Sequence, residues 1–306
     1  MKLLVTGALG HIGSQLIRSF NECELVIVDN LMTQRFASIF NLPSGNSIKF
    51  LDRAVKELTA ELLIEHGPFT HVIHLAAITD ATGNANNRDG LFANNLQSTI
   101  HIAELAQQLE IPLIFPSTTS VYGSQSELVD EKCADLLPQS PYADCKLEEE
   151  AYLQEKVRHG LQVAILRLGT IHGASIGMRF HTAVNKFIFQ SKLNMPITVW
   201  RTALHQRRPY LSLTDSLNAF QHVINNGLFG GDVFNVVTQN WTVKEIIDCI
   251  ERQSQSPCKI ELVDSPIMNQ LSYEVSSEKF ESTGFKFTGS LENDIRDTLV
   301  LLDRVR

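Results

Sequence analysis

The hydrophobic positions of this chain follow two alternating patterns. Short apolar runs are nearly continuous, which is typical of strands buried on both faces of a parallel sheet. Between them, apolar residues recur at helical spacing. We predict strands from KLLVTG, ELVIVDN, SIKFL, THVIHLAA, PLIFPSTTS and LQVAILRLG, and helices from HIGSQLIRSFNE, VKELTAELLIEHG, LFANNLQSTIHIAELAQQLE and YADCKLEEEAYLQEKVRHG. The alternation predicts an α/β fold built on a doubly wound parallel sheet.

The regular alternation weakens after Gly173, where turn-forming residues become frequent. In this part we predict a helix near AVNKFIFQ, strands from ITVW and GDVFNVVT, and a helix from VKEIIDCIERQ. We therefore divide the chain into two domains. The large sheet domain comprises residues 1–172 and is completed by residues 208–240, and the smaller C-terminal α/β cap comprises residues 173–207 and 241–306.

Gly7, Gly10 and Gly13 lie between the first predicted strand and the first predicted helix. Glycine loses more backbone entropy on folding than other residues, so this spacing indicates that side chains are excluded here. One interpretation is a tight strand-to-helix turn. The other is a pyrophosphate site, in which glycines allow the turn, the approach of the ligand and close helix packing, while the N-terminus of the helix binds phosphate.

Asp29 ends the second predicted strand, about 16 residues after the last of these glycines. A dinucleotide-binding domain places a carboxylate here to accept hydrogen bonds from the adenosine ribose hydroxyls. Its negative charge would repel a 2′-phosphate, so it favours NAD over NADP. An aspartate in an ordinary strand-end turn remains the alternative interpretation.

Tyr142 and Lys146 are four residues apart in a predicted helix, so they share one helix face. A phenol titrates near pH 10, but a neighbouring ammonium group stabilises the phenolate and makes it a usable base. The alternative is a solvated helix surface, where such pairs are common. The preceding strand ends in hydroxyl residues at positions 117–120, at the sheet edge where open α/β folds bind ligands.

Composition and charge exclude several classes of function. The chain has 306 residues, of which 43% are hydrophobic, and a formal charge of −8, so it offers no basic field for nucleic acid or an anionic membrane. No apolar run approaches the roughly 20 residues that span a bilayer. The five cysteines show no metal-ligand spacing, which predicts no metal site and favours reduced thiols in the cytoplasm.

Several motifs together resemble one known family. They are, in chain order, TGALGHIG, VIVDNL, VIHLAA, NNLQST, STTSVYG, SPYADCK, LRLGTIHG, RRPYLSL and STGFKF. The chain is similar to the extended short-chain dehydrogenase/reductases, and within them to the nucleotide-sugar epimerase/dehydratase family, including UDP-galactose 4-epimerases. This resemblance implies a Rossmann-type domain that binds NAD, with the pyrophosphate on the glycines, and a cap that binds a nucleotide-diphosphate sugar.

The resemblance also implies roles for single residues. Tyr142 would be the catalytic base, Lys146 its electrostatic partner and Thr118 the hydroxyl that contacts the reacting sugar oxygen, with Ser117 and Thr119 as adjacent candidates. The implied NAD-binding set is Gly7, Gly10, His11, Ile12, Gly13, Asp29, Asn30, Leu31, Asp52, Leu75, Ala76, Ala77 and Asn95, together with Tyr142 and Lys146. The implied substrate-binding set is Thr119, Thr170, Arg179 and Arg208.

Arg208 matches the arginine that binds the nucleotide diphosphate, and a guanidinium group suits bidentate phosphate recognition. Arg207 is the alternative, as is a solvated arginine pair. Two other segments depart from the family pattern. Dehydratases carry Thr-Asp-Glu where this chain has Thr-Thr-Ser at residues 118–120, so a dehydratase is not expected. In the second segment, Thr170 and His172 replace the Asn and Tyr that are usual in the family.

The implied activity is NAD-dependent epimerisation of a nucleotide-diphosphate sugar, at C4 through a transient 4-keto intermediate. The first alternative is an NAD(H)-dependent oxidoreductase acting on a nucleotide sugar. A decarboxylating or C3/C5-epimerising relative would need further acid/base groups, which the sequence does not identify. An alternative of another class is a non-catalytic NAD-binding sensor. The resemblance also implies a homodimer, formed through the helices around residues 91–110 and 142–160, and a setting in polysaccharide biosynthesis.

Overall fold

The computed structural model describes residues 1–45, 47–79, 87–178, 180, 182–264 and 272–305. Its strands are β1 (Lys2–Thr6), β2 (Glu24–Asp29), β3 (Ile48–Asp52), β4 (His71–His74), β5 (Leu113–Thr118), β6 (Leu128–Val129), β7 (Val163–Leu168), β8 (Thr170–His172), β9 (Ile197–Trp200), β10 (Arg207–Ser212), β11 (Gly230–Val236), β12 (Gln239–Thr242), β13 (Ile260–Val263) and β14 (Glu274–Val275). Its α-helices are α1 (His11–Ser19), α2 (Ala60–His66), α3 (Arg88–Gln108), α4 (Pro141–Val157), α5 (Ala183–Lys192), α6 (Leu213–Asn226), α7 (Val243–Ser254), α8 (Glu278–Glu281) and α9 (Leu291–Leu301).

Seven strands form the central sheet in the order β11-β7-β5-β4-β1-β2-β3. Every neighbouring pair in it is parallel. The chain moves outward from β1 to β3 on one side and from β4 to β11 on the other, so the order reverses between β1 and β4. Ligands of such sheets bind at the carboxyl ends of the strands beside this reversal. The predicted doubly wound α/β fold is confirmed.

The apolar strands bury both of their faces, because successive side chains point to opposite sides of the sheet. Leu3 and Val5 of β1 pack with Leu16 and Ile17 of α1 in one core cluster. Leu4, between them in sequence, belongs to a second cluster that includes residues of α3 and α4. The near-continuous apolar runs in the sequence therefore reflect helices on both faces.

A smaller sheet, in the order β12-β10-β8, lies beside the carboxyl end of the large one. β8 follows β7 after the single residue Gly169, so the chain passes directly from one sheet to the other. Helices α5, α7 and α9 contribute to a third core cluster around this region. Of residues 208–240, β11 joins the edge of the large sheet against β7, whereas β10 lies in the small sheet.

One predicted helix differs from the structure. The segment VKELTAELLIEHG forms a short 3-10 turn at Val55–Glu57 and then α2, instead of one continuous helix. Thr59 causes the break, since its hydroxyl accepts a hydrogen bond from Leu62 N at 3.2 Å and caps the start of α2.

Candidate active site

The loop after β1 has the geometry of a backbone cradle. Gly7 adopts φ +65°, and a Cβ atom there would lie 2.5 Å from the backbone nitrogen of Ala76. A Cβ atom at Gly13 would lie 2.5 Å from the carbonyl oxygen of Ala8. Both glycines are therefore required by close backbone approach. Gly10 caps α1 without a side-chain hydrogen bond, so the helix begins on bare backbone.

The first turn of α1 is held from two sides. His11 Nε2 lies 2.8 Å from the carbonyl oxygen of Gly173, so this side chain points to the loop after β8. Ile12 packs against the adjoining core. A Cβ atom on Gly10 would lie 3.5 Å from Arg35 Nη1, which places a guanidinium group beside the glycine loop. The sequence analysis did not identify Arg35.

Asp29 connects the glycine loop to the turn after β2. Its Oδ2 accepts a hydrogen bond from Leu9 N at 3.1 Å, and its Oδ1 accepts one from Leu31 N at 3.0 Å. Leu31 has φ +55°, a strained conformation that the Asp29 carboxylate helps to hold. Asn30 Oδ1 accepts from Met32 N at 3.1 Å and closes the same turn. The local sequence therefore builds its own turn around Asp29.

Asp52 is the partner of Asp29 in the parallel register of β2 and β3, and it is exposed. The structure thus brings these two predicted residues together at the carboxyl edge of the sheet. Two carboxylates at adjacent strand ends make this corner acidic, which disfavours a phosphate group there.

The loop after β4 borders Gly7. Leu75 N donates a hydrogen bond to Thr6 O at 2.9 Å, and Ala76 and Ala77 follow it in a half-buried stretch. Asn95 of α3 is buried, accepts from Ile78 N at 2.8 Å and donates to Ile78 O at 3.0 Å. Asn95 therefore holds the backbone of this loop in place.

Helix α4 carries the two predicted catalytic residues. It begins at Pro141, and the Ser140 hydroxyl caps it by accepting a hydrogen bond from Ala143 N at 3.2 Å. Tyr142 is half-buried in the first turn, and Lys146 is only 3% exposed. This helix packs against β5 and the short turn that follows it. The predicted sharing of one helix face is seen in the structure.

Lys146 lies in an apolar and charged setting. Its Nζ is 4.3 Å from the ring centroid of Phe115 and 3.2 Å from Glu149 Oε2. Burial alone would lower the Lys146 pKa, but Glu149 and Tyr142 outweigh it and raise that pKa, so the ammonium form is favoured. Burial raises the pKa of Tyr142, the Lys146 charge acts in the opposite direction, and Glu149 adds to the increase.

The hydroxyl groups at the end of β5 differ in their partners. Ser117 Oγ donates to the buried carboxylate of Glu150, and Thr119 Oγ1 donates to Leu168 O at 3.3 Å. Thr118 Oγ1 bonds only within its own turn, accepting from the backbone nitrogen of Ser120 and donating to its hydroxyl, both at 3.2 Å. Among the described residues, the Thr118 hydroxyl is thus engaged by its sequence neighbour and not, like those of Ser117 and Thr119, by the protein interior.

Of the predicted substrate residues, Thr119 lies in the short turn after β5, whereas Thr170 and Arg208 lie in the small sheet. Thr170 pairs with Tyr210 across β8 and β10, and Arg208 lies two residues before Tyr210 on the same strand. The guanidinium carbon of Arg208 is 5.8 Å from the ring centroid of Trp200. Arg179 lies outside the described residues.

Arg207, the alternative to Arg208, is exposed and ion-paired. Its guanidinium lies 3.8 Å from Glu245 Oε1 and 3.8 Å from Glu274 Oε1. It also donates to Asn240 O at 3.3 Å. Arg207 is therefore engaged with carboxylates at the surface.

Sequence reasoning missed the buried groups behind α4. Glu149 and Glu150 belong to an acidic run that looks like a solvated helix face, yet both are buried. Arg167 pairs bidentately with Glu150, with N–O distances of 3.0 and 2.7 Å. The sequence did contain one indication of the Lys146–Glu149 pair, because side chains three residues apart on a helix can form an ion pair.

The comparison with protein families decides the identity of the fold. A model described as the NAD dependent epimerase/dehydratase family matches residues 3–236. The chain belongs to this family. The resemblance predicted from the motifs is confirmed, and with it the assignment to an NAD-dependent family of enzymes.

Individual relatives of this epimerase/dehydratase chain are distant but cover it well. A trifunctional UDP-glucose 4,6-dehydratase/UDP-4-keto-6-deoxy-D-glucose 3,5-epimerase/UDP-4-keto-L-rhamnose-reductase of Arabidopsis thaliana is 27% identical over 97% of the chain, which spans 46% of that enzyme's length. An uncharacterized UDP-glucose epimerase of Bacillus subtilis is 27% identical, with 82% of the chain and 81% of the relative covered. The Thermus thermophilus UDP-glucose 4-epimerase, solved with NAD, superposes with a TM-score of 0.87 at 23% identity, with all of both chains covered.

The residues present fit the cofactor of this family. The glycine loop excludes side chains from the start of α1, and Asp29 holds a carboxylate beside it. These are the two features that bind a pyrophosphate and an adenosine ribose in such folds. Among the described residues, no helix is long and apolar enough to cross a membrane, and no cluster of three or more His, Cys, Asp or Glu side chains has the geometry of a metal site.

Proposed function

We propose that this protein is an NAD-dependent epimerase of a nucleotide-diphosphate sugar, which inverts C4 through a transient 4-keto intermediate. One observation carries the proposal: Tyr142 and the ammonium of Lys146 lie on α4, packed against the strand that Thr118 ends. The glycine loop after β1 lies on the same sheet, two strands away. A base and a dinucleotide-binding loop at one sheet edge support reversible oxidation of a bound hydroxyl group.

In this proposal each residue has a defined task. When bound, NAD would supply the hydride chemistry, that is, removal of a hydride from the sugar carbon and its return to the opposite face of the sugar. Tyr142 accepts the proton of the sugar hydroxyl and later gives it back, while the Lys146 charge favours the phenolate. Thr118 donates a hydrogen bond to the same sugar oxygen. Asp29 accepts hydrogen bonds from the adenosine ribose, and the first turn of α1 binds the pyrophosphate.

The nucleotide-diphosphate part of the substrate is proposed to bind at the small sheet. Arg208 would bind the diphosphate through its guanidinium group, with Thr170 on the adjacent strand and Arg179 as a further contact. The Thermus thermophilus enzyme of the same fold is a UDP-glucose 4-epimerase, which supports a nucleotide-linked sugar as the substrate class.

One alternative has an observation in its favour, and two others have observations against them. A net oxidoreductase would use the same Tyr142 and Lys146, and the Arabidopsis relative includes a reductase activity in its name. A dehydratase is disfavoured, because residues 118–120 carry three hydroxyl groups and no acidic group for the elimination of water. A non-catalytic NAD sensor would have no use for a buried lysine beside a tyrosine.

The deciding experiment is proton NMR of the purified protein with NAD and a panel of UDP-, dTDP- and GDP-sugars in D2O, with the absorbance of reduced nicotinamide followed in parallel. We expect a stereoisomeric product without deuterium in the ring and without net reduced cofactor. Net reduction would favour the oxidoreductase, and deuterium in the sugar would favour a deprotonating epimerase. No turnover of any sugar, with NAD bound, would favour the sensor.

We also propose that the protein is a cytoplasmic homodimer that supplies sugars for polysaccharide biosynthesis. All five cysteines are free thiols, which suits a reducing compartment. Helices α3 and α4 pack side by side, with Leu96 and Ile100 on one and Leu147 on the other only half-buried in the single chain. Light scattering should give about twice the 34.2 kDa chain mass, and Ile100→Glu should give the monomer.

A further inference from the structure

A buried carboxylate that the proposed reaction does not use lies behind the site. Glu149 is 1% exposed, and its Oε2 lies 3.2 Å from the Nζ of Lys146. A buried carboxylate is costly unless it is paired and hydrogen-bonded. Its position three residues after Lys146 puts it on the side of the ammonium that faces the protein interior.

Three elements together hold the Glu149 carboxylate. Thr99 of α3 donates a hydrogen bond to Glu149 Oε1 at 2.5 Å. Because the Thr99 hydroxyl donates its proton there, it accepts from His74 Nε2 of β4, which lies 3.3 Å away. His74 Nδ1 then accepts from Thr6 Oγ1 of β1 at 2.7 Å. The series of hydrogen bonds from β1 to α4 therefore has one consistent direction of donation, and it ends on the carboxyl group of Glu149.

The charges around this carboxylate are few. Tyr142, Cys145 and Lys146 face it from its own helix, and His74 lies behind Thr99 on β4. Burial, with the Lys146 charge, lowers the pKa of His74 to about 3, so this ring is neutral. Burial raises the pKa of Cys145 to about 12, so its thiol is neutral as well. Among the described residues, Lys146 and Glu149 are thus the two charges that act on Tyr142.

We propose that Glu149 is a positioning residue, which anchors the Lys146 ammonium and offsets its charge, and so controls how readily Tyr142 loses its proton. The inference rests on the proposed role of Tyr142 as the base. A phenolate beside a lone ammonium group gains the full attraction, whereas a phenolate beside a lysine–glutamate pair gains much less. Glu149 therefore makes Tyr142 harder to deprotonate than it would be beside Lys146 alone.

The test is Glu149→Gln, which keeps the shape of the side chain and an oxygen that accepts from Thr99 but removes the charge. We expect the pKa of Tyr142 to fall by about one unit or more. Since the base acts when deprotonated, the acid limb of the kcat/KM profile should move to lower pH by the same amount. At a pH on that limb, a shift of one pH unit corresponds to an increase of about tenfold in kcat/KM, expressed relative to the plateau value of each protein.

A readout independent of turnover is the absorbance of tyrosinate during a pH titration of the NAD-bound protein. The same titration is carried out on proteins that also carry Tyr142→Phe, one with Glu149 and one with Glu149→Gln. Subtracting each of these curves from that of the corresponding protein with Tyr142 isolates the Tyr142 titration from those of the other tyrosines. Glu148→Gln is the matched control: it makes the same charge change on α4, but its side chain is 56% exposed and pairs with Arg88 at 3.7 Å. This control should leave the Tyr142 titration unchanged.

Glu149→Asp provides a second variant if Glu149→Gln fails to fold. It keeps the charge but withdraws the carboxylate from Lys146, and we expect a smaller shift in the same direction. A Tyr142 titration that stays in place, or that moves to higher pH, in the variant that folds would overturn the inference. Retention of full epimerase activity by Tyr142→Phe would instead refute the proposed base, so the two failures are distinguishable.

Discussion

At the scale of single residues, the candidate site contains ionisable groups that are partly or fully buried, and burial disfavours their charged forms. Tyr142 is half-buried and has a raised pKa, chiefly because burial disfavours its charged form. Lys146 acts against that effect, and its ammonium lies 3.2 Å from Glu149 Oε2. The reactivity of the tyrosine therefore depends on two neighbours on its own helix.

Replacement of the proposed base tests its role directly. We expect Tyr142→Phe to lower kcat by about 100- to 10,000-fold, the usual contribution of general acid–base catalysis, while NAD binding is retained. The matched control is Tyr152→Phe on the same helix, whose hydroxyl donates to Glu104 Oε1 at 3.1 Å. Steady-state kinetics on the identified sugar should separate the two variants. Equal activities would refute the assignment of Tyr142.

The glycine loop gives a second prediction at this scale. We expect Gly7→Ala to destabilise the protein by more than about 2 kcal/mol, since it adds a left-handed strain of about 1–2 kcal/mol to a contact of 2.5 Å with Ala76. Gly227→Ala is the control, because Gly227 has φ +62° and no atom within 4 Å of its Cβ position. Urea unfolding of both variants isolates the close backbone approach. Equal losses of stability would mean that the loop relaxes.

At the scale of elements, α4 is joined to the sheet by a buried ion pair as well as by apolar packing. Arg167 of β7 donates to both carboxylate oxygens of Glu150 and, through Nη1, to Tyr122 Oη at 3.0 Å. Burial disfavours the Arg167 cation, but Glu150 more than compensates and raises its pKa. This pair fixes the helix that carries Tyr142 and Lys146 against β5 and β7.

Breaking that pair should be costly. We expect Glu150→Gln to lower the free energy of unfolding by about 3–5 kcal/mol, because it leaves a buried guanidinium without its counter-charge. Asp232→Asn removes the partner of Lys279 from an exposed pair, with side chains 57% and 40% exposed, and should cost less than about 1 kcal/mol. Chemical denaturation measures both. A loss below 1 kcal/mol for Glu150→Gln would show that the pair does not hold α4.

At the scale of the whole molecule, the C-terminal helix connects distant parts of the chain. Asp294 Oδ2 of α9 lies 2.7 Å from Nδ1 of the buried His172 in β8 and accepts from Ser212 Oγ at 2.9 Å. These residues are far apart in sequence and meet at the carboxyl ends of β8 and β10. The contact therefore holds α9 against the small sheet.

This connection predicts a stability effect. We expect Asp294→Ala to destabilise the protein by about 1–3 kcal/mol, because it leaves the buried Ser212 hydroxyl without its acceptor and removes the carboxylate beside the buried His172 ring. Asp297→Ala, on the same helix, is the control: Asp297 is 68% exposed and pairs only with its neighbour Arg296 at 3.4 Å. Thermal unfolding should resolve the difference. Equal midpoints would show that α9 does not depend on this bond.

The parts of the fold that follow from local pattern could be predicted from the sequence. Several elements lie close to their predicted segments, namely the strands β1, β2, β4 and β5 and the helices α1 and α4. Each of them has a distinct apolar period and a clear start or stop signal. The small sheet was not predicted as a sheet. Its strands β8 and β12 have only three and four residues, and all three strands pair across long stretches of chain.

The candidate site divides in the same way. The glycine spacing, Asp29 and the Tyr142–Lys146 pair are local patterns, which the sequence shows directly. Glu149 looked like a solvated residue in an acidic run, and Arg35 had no pattern at all. Whether such a side chain is buried, and what it meets, depends on elements that approach from elsewhere in the chain.

The sequence by itself determined the alternation of strands and helices, the doubly wound sheet and the family, because periodicity, capping and motif spacing are properties of short segments. Only the tertiary structure decided which charges are buried and which partners they have. Thr6, His74, Thr99 and Glu149 form one line of hydrogen bonds because β1, β4, α3 and α4 pack together in the folded protein. The free energy of a buried charge depends on such neighbours, which are distant in sequence. It therefore cannot be inferred from the residues of one segment.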